Sequence, residues 1–567
     1  MCSFVHDDKV KVFWDKQEAI DELQSRSYRD SWLCATNLMF DFFGLFKDSE
    51  EQKKFNIILR GSSLLKAQSY MDNKSKLCHE KTKRKIEFLD TMNFLPASVQ
   101  KLGKIINMPK LECPEFIGEK PKSKSERDQL ERYNVNDSLI SKKFIDFMKE
   151  SFNNANCKMR ITIASTAMDY WRRNYMKHYM VQPSIKALLD HYPSYFGGRT
   201  EVFKRGSVHN LYYYDFNSLY PSVMTRQYPD PNSLKYNSKS RMSIIKSYEG
   251  ISEVEVECPS KLNIPILPFR GEKVLFPGGK FKGMYTHVEL RHARSYGYKI
   301  RPIGKTYYYT KKIRPFDEFV IEVYKKRSQY KKEKNPLQLV YKLLMNSLYG
   351  KFGQKVTERE NIVHESKVTL DMLDNNEFKR IKDYFILKTK KIRCPVFVLP
   401  IFSIYTTAYA RIKLYEAMRK CDPYYVDTDS ILTPDRLKTS DKLGSLKLEY
   451  GITDGWLVKP KMYYFDGVDE DNKPVSMFKV KGVMKVFKQG HERENFSELL
   501  NQEKAVFERF VKFKEALRSK EEYKVGQLVV NQRLLVKKNI SLEDNKRKWP
   551  SGFDCYDLQD SEPIILS

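Results

Sequence analysis

At 567 residues the chain is too long for a single ordinary domain, and several subdomains around more than one core are expected. Its 101 Lys and Arg outnumber 72 Asp and Glu, giving a formal net charge of +29, while 36 Tyr and 34 Phe lift the aromatic share to 13%. Nine cysteines standing singly, with no C-x-x-C pair, exclude a zinc ribbon and a disulfide framework, and no run of about 18 apolar residues offers a membrane span. The cationic surplus suits a polyanionic partner held through counterion release, with the aromatics as platforms for stacked bases. On composition alone, a solvated, lysine-biased surface explains the charge equally well. Met1 to Asp8 has no apolar signal-peptide core, so reduced thiols and an intracellular, unsecreted protein are expected.

Along the chain, residues 9–150 alternate short apolar runs with polar helical stretches at Lys16 to Leu23 and Ser125 to Lys149, a mixed α/β pattern. Gly118 to Arg127 reads as a loop before the second helix. Cys157 to His191 has helical periodicity, with Met168, Trp171, Tyr175 and Tyr179 on one face, until Tyr195-Phe196-Gly197-Gly198-Arg199 breaks it as a boundary turn. Leu211 to Phe216 is strand-like, and residues 223–312 are short β-rich pieces punctuated by Pro and Gly. Pro315 to Gln329 is an amphipathic helix, and Asn335-Pro336 opens another, Asn as cap and Pro in the first turn. Residues 356–393 are charged and read as an insertion, Ile401 to Arg419 as helix, and Tyr424 to Leu432 as strand, tight turn, strand around Asp427-Thr428-Asp429. From Glu492 onward helical and strand-like pieces alternate.

Three of these segments carry chemistry. Phosphoryl transfer gains from two divalent cations, one activating the attacking hydroxyl and one supporting the leaving oxygens, and hard Mg²⁺ prefers carboxylate ligands. Asp215 ends one strand, and Asp427 and Asp429 sit in a hairpin turn; if those strands are neighbours, about 4.8 Å apart, the carboxylates converge. Standing alone, Asp-Thr-Asp is more often a polar turn. Lys342, Asn346 and Tyr349 share one face of the helix that Pro336 opens, and Arg327 and Lys331 share a face one helix earlier, so a triphosphate has cations to meet. Such a basic face is by itself usually only solvated surface. Tyr220, stiffened by Pro221, is placed to clash with a 2′-hydroxyl, although an ordinary core aromatic has the same spacing.

Tyr214-Asp215-Phe216-Asn217-Ser218-Leu219-Tyr220-Pro221-Ser222, Lys342 to Gly350 and Tyr425 to Ser430 resemble motifs A, B and C of family B DNA polymerases. Lys461-Met462-Tyr463 resembles the family's primer-contacting KxY element, and Tyr195 with Gly197 and Gly198 its YxGG element. Long intervals between the first two motifs and before the third are similar to the protein-primed branch of phages, adenoviruses, linear plasmids and related elements. The resemblance implies an α+β multidomain fold, a right hand of palm, fingers and thumb behind a ribonuclease H-like 3′–5′ exonuclease-type domain. It implies Asp215, Asp427 and Asp429 as catalytic and metal ligands for two Mg²⁺ ions, with Mn²⁺ as an alternative. Ser218, Leu219, Tyr220, Arg327, Lys331, Lys342, Asn346 and Tyr349 are implied for dNTP, and Tyr195, Gly197, Gly198, Gly350, Lys461 and Tyr463 for template and primer. Residues 1–190 are then exonuclease-like, 191–240 the first part of the palm, 241–312 a first terminal-protein-region insertion with palm, 313–355 fingers, 356–398 a second insertion, 399–490 the rest of the palm and 491–567 the thumb.

In the N-terminal part, Asn37 and Asp41 resemble the second exonuclease motif and Tyr133 and Asp137 the third. The first, an Asp-x-Glu pair, belongs before Asn37, and none stands there. A scaffold that has lost proofreading is therefore expected. The preferred reading is a monomeric DNA-directed DNA polymerase acting with a terminal protein in a prokaryotic cytoplasm or wherever a virus or plasmid replicates. The rivals are a catalytically silent DNA-binding scaffold and a family B repair enzyme extending only nucleic-acid primers.

Overall fold

The computed structural model describes the chain except residues 7–8, 29, 47–53, 61–62, 70–84, 118, 356–359, 390–393, 396, 482–490, 502–503 and 511–532, so Cys78 and Gly118 lie outside the described residues. The N-terminal unit begins with a hairpin, β1 (Cys2–His6) and β2 (Lys9–Phe13), followed by β3 (Trp32–Ala35), β4 (Phe55–Arg60), β5 (Ser63–Ser69) and β6 (Glu87–Asp90). Strands β4, β5 and β6 pair antiparallel in succession, and β6 pairs parallel with β3. A parallel pair needs a crossover, and its helix, Leu38–Leu45, buries Phe42 among Phe46, Phe55 and Phe88, rings 5.0 to 5.3 Å away.

The helix Lys124–Asn154 starts three residues before the expected loop ends, because Ser123 Oγ accepts from Glu126 N at 3.1 Å, the reach of an S-x-x-E capping pattern. The expected continuous helical face from Met168 to Tyr179 is also corrected. Its helix, Ile163–Asn174, ends before Tyr179, which is 75% exposed, and Pro183 keeps the chain extended until Ile185–His191.

The charged insertion is not separate from the N-terminal unit. Its strand Glu360–His364 pairs with β4 at Asn361 opposite Ile58 and Ile362 opposite Ile57, and with Asn376–Ile381 and Tyr384–Thr389 it completes a seven-stranded sheet. Ile362, Tyr384 and Ile386 are buried in the same core as Phe42 and Phe55.

The central sheet is antiparallel in the order Pro474–Val480, Met462–Asp469, Leu446–Lys459, β8 (Lys204–Phe216), Ser430–Thr433, Tyr425–Asp427, β7 (Thr200–Val202). Helix Pro400–Met418, buried along most of its length, lies in one core with Leu337–Phe352 and Ile163–Asn174. A five-stranded sheet formed mainly by residues 234–309 stands alongside. Near the other end, Gln559–Asp560 pairs with β8 and Ile565–Leu566 with Gly278 and Gly279. Arg547 reaches back to the buried Glu201, which also holds Arg199. Among the described residues no helix is long and apolar enough to cross a membrane.

Candidate active site

Asp215 is the penultimate residue of β8, and Ser430 sits directly opposite it on the neighbouring strand. Thr428 makes the intervening turn with φ +69°, its N–H bonded to Arg199 O at 2.7 Å, and Phe216 N donates to Asp429 O at 2.8 Å. The backbone therefore locks Asp429 beside Asp215, as the neighbouring-strand reading requires.

The three carboxyls do not share one environment. Asp427 accepts from Lys461 Nζ at 2.8 and 2.6 Å, from Thr200 Oγ1 at 3.1 Å and from Tyr425 Oη at 3.1 Å. Burial pushes its pKa up, but Lys461 and these hydroxyls outweigh burial and hold it below the ordinary carboxylate range. Asp215 is pushed up to about 7 by burial, then by the charges of Asp429 and Glu449. Asp429 is raised by burial and by Asp427. Neither Asp215 nor Asp429 has an ion pair with a basic side chain among the described residues.

Two adjacent half-buried carboxyls with no ion-pair partner fit a hard divalent ion, which binds through one or two carboxylates plus phosphate and water oxygens. Among the described residues no three His, Cys, Asp or Glu groups form a metal-holding cluster, and in this structure Asp427 is turned to Lys461 while Asp429 lies beside Asp215.

On helix Leu337–Phe352, Leu344, Met345 and Leu348 are buried while Lys342, Asn346 and Gly350 are exposed, so the polar face is real. Asn335 Oδ1 accepts from Leu337 N at 2.9 Å, the cap expected from Asn-Pro. Although Lys342 is solvent-exposed on the helix face, partial desolvation and then Arg327, Lys101 and Lys331 lower it, while Asp215 works the other way. Four cations thus crowd the side facing Asp215. Lys101, from helix Val99–Ile105 of the N-terminal unit, was not foreseen, and nothing in its local sequence marks it. Arg327 Nη1 donates to Ser218 Oγ at 2.8 Å, and its buried Nε has no hydrogen-bond partner. Ser218 can offer its hydroxyl because its backbone adopts φ +57°.

Tyr220 and Tyr349 stack at 4.6 Å and 20°, and burial raises both phenols, Tyr220 to about 12. Leu219 is buried in the core against which both rings pack. Gly198 is required by close approach, since a Cβ there would lie 2.7 Å from Thr428 Cγ2 and 2.9 Å from Tyr220 Oη. Gly350 by contrast is open. The carbonyl of Gly197 accepts from Arg411 Nη1 at 2.8 Å and that of Tyr195 from Arg270. Lys461 takes φ +63° to reach Asp427, and Tyr463 stacks on Phe465 at 4.7 Å.

In the N-terminal unit the structure brings Asp41 and Asp137 together and adds Asp90, which sequence reasoning missed. Asp41 is exposed at the surface yet raised, by desolvation from its surroundings and then by Asp90 and Asp137. Asp90 accepts from the backbone N–H groups of Asn37, Leu38 and Met92. Asp137 pairs with Lys110, whose ammonium also lies over the Tyr133 ring at 4.1 Å. Asn37 contributes through its backbone at φ +63°, not through a side-chain cap.

A pH dependence follows from Asp215. An unfolded Asp titrates near about 4, so between about pH 4 and 7 the unfolded chain has released a proton that the folded chain keeps. Stability from this group is full below that window and is lost as pH rises through about 7. In EDTA, Tm is expected to fall more steeply from pH 5 to 8 in the wild type than in Asp215→Asn, and Mg²⁺ should flatten the difference. Parallel Tm profiles would show that Asp215 is ionised throughout.

The sequence profile of the family described as DNA polymerase type B, organellar and viral, matches residues 115–430. A probable DNA polymerase of Neurospora intermedia is 30% identical over 387 residues, 63% of this chain and 38% of its own. One of Ascobolus immersus is 25% identical across 85% of this chain and 45% of its own. The DNA-directed DNA polymerase of Enterobacteria phage PRD1 is 28% identical over 49% of each. The chain spans less than half the length of the curated fungal relatives it matches. Among solved structures, Phi29 DNA polymerase complexed with primer-template DNA and incoming nucleotide substrates superposes with a TM-score of 0.68 at 18% identity, covering 94% of each chain. That likeness shows the fold, α+β with a right hand behind an exonuclease-type domain.

Proposed function

The chain belongs to the organellar and viral type B DNA polymerases, and from that premise we propose that it is a DNA-directed DNA polymerase. The observation that carries this reading is the adjacent pair Asp215 and Asp429, neither in an ion pair, beside the cluster of Arg327, Lys331, Lys342 and Lys101. A divalent cation held by the pair supplies charge stabilisation for phosphoryl transfer. The cluster binds and orients the triphosphate of a dNTP, Tyr220 on Tyr349 forms a rigid floor that excludes a 2′-hydroxyl, and Lys461 and Tyr463 flank the primer end. The chain works as a monomer on primed template and starts from a hydroxyl on a separate terminal protein, a reading that rests on the resemblance to the protein-primed branch.

The N-terminal unit acts as scaffold without proofreading. Asp90 is taken up by backbone N–H groups and Asp137 by Lys110, which leaves too few carboxylates for two-metal hydrolysis.

A time course with a 5′-labelled primer on template and Mg²⁺, with and without dNTPs, tests both statements. Extension with dNTPs and an intact primer without them is expected. Shortening without dNTPs would overturn the scaffold reading, and DNA binding without extension would favour a silent scaffold. Transfer of labelled dNMP to a protein hydroxyl without primer tests priming.

A further inference from the structure

Tyr349 lies in the last turn of helix Leu337–Phe352, where carbonyl groups run out of partners within the helix. The N–H that would serve its carbonyl in a longer helix, that of Gly353, goes to Lys351 O instead. A side chain from helix Pro400–Met418 takes over: Ser403 Oγ donates to Tyr349 O. Ser403 is fully buried, and its hydroxyl is also hydrogen-bonded to the phenol of Tyr195. Glycine at 353 permits the close approach, since a Cβ there would lie 2.6 Å from Ser403 Oγ and 2.8 Å from Tyr195 Cε1.

The helix that carries Ser403 is itself fixed. Arg411 pairs with the buried Glu289 and donates to the carbonyls of Phe196 and Gly197. At the start of that helix, Leu399 N donates to Phe352 O at 3.0 Å. The Tyr349 side chain, meanwhile, is stacked on Tyr220 and hydrogen-bonded to it. One buried hydroxyl therefore holds the backbone of the residue on which the Tyr220 ring rests.

We infer, resting on the polymerase reading above, that Ser403 is a positioning residue for sugar selection: it holds Tyr349, and through it Tyr220, at the height that rejects a 2′-hydroxyl. A pocket that merely offers an added hydroxyl no partner rejects it by only about 10²-fold, so rejection by shape depends on a floor that does not recede. Without the Ser403 hydroxyl, Tyr349 O loses its hydrogen bond, and the last turn of its helix shifts to find another donor. The cations that meet the triphosphate are untouched by that shift. A ribonucleotide therefore gains from it, while a deoxynucleotide is little affected.

Thr406 supplies the control. It lies on the same helix and is equally buried, but its hydroxyl meets that of Tyr228 at 2.9 Å rather than the carbonyl of Tyr349.

The test measures kcat/KM for one dNTP and for the matching rNTP on a primed template with Mg²⁺, together with Tm, in the full-length protein and its variants. Ser403→Ala is expected to lower the preference for dNTP by about tenfold, chiefly through faster use of rNTP. Ser403→Thr keeps the hydroxyl and should stay within about threefold of the wild-type preference. Thr406→Ala should lower Tm and leave the preference unchanged. An unchanged preference in Ser403→Ala, an equal fall in Thr406→Ala, or a Ser403→Thr enzyme as permissive as Ser403→Ala would each overturn the role of Ser403 while leaving the polymerase reading intact. A wild type that incorporates neither sugar would overturn the polymerase reading and this role with it.

Discussion

Asp429→Asn is expected to abolish nucleotide incorporation, by about 10³-fold or more, while leaving affinity for primed DNA within about twofold. A carboxylate that holds a catalytic cation supplies several kcal/mol of transition-state stabilisation, and each 1.4 kcal/mol is about tenfold in rate. DNA affinity comes instead from many cationic contacts spread over the surface. The same substitution should raise Tm, because it removes one member of a half-buried pair of mutually repelling carboxyls that Lys342 and Lys461 offset only in part. Single-turnover incorporation and a thermal melt on the same sample check this. Retained incorporation would remove Asp429 from the site, and a lowered Tm would mean that its charge is compensated in the folded protein.

Glu201→Ala is expected to be the most damaging change outside the chemistry, costing about 3–5 kcal/mol, the range for breaking a buried pair and leaving charge behind. Glu201 is 1% exposed and accepts from Arg199 at 2.7 Å and Arg547 at 3.2 Å, both guanidiniums also being buried. Its loss leaves two like charges facing each other. Because the carbonyl of Arg199 holds the N–H of Thr428, incorporation should fall together with Tm. Replacing all three charges with apolar side chains of similar volume should recover much of the stability. An unchanged Tm in Glu201→Ala would show that the triad contributes nothing net.

The carboxylate turn was legible because each part of it is local: an apolar strand, a turn rich in Asp, and a second apolar strand. Asn335-Pro336 likewise announced its helix through cap chemistry. What could not be read came from contacts between distant segments. Lys101 and Glu449 reach the neighbourhood of Asp215 from other elements, and neither sits in a local pattern. The role of Lys461 as the partner of Asp427 depends on a positive φ that no propensity favours for Lys. The pairing of Ile362 with Ile57 was hidden because only two residue pairs join the strands, in a stretch that composition marks as charged loop. The single helical face to Tyr179 failed because its helix ends at Asn174, and periodicity counted past that point runs into non-helical chain.

The strap that carries Arg547 to Glu201 also sets an order of events during synthesis. Thr428 and both turn carboxylates leave the ribosome about 120 residues before Arg547, roughly 6–24 s earlier at 5–20 residues per second. Until Arg547 arrives, Glu201 has one guanidinium instead of two, and β8 lacks the short strand Gln559–Asp560 along its edge. The nascent central sheet is therefore held in a looser form than the finished one, and its maturation waits on residues 547–560.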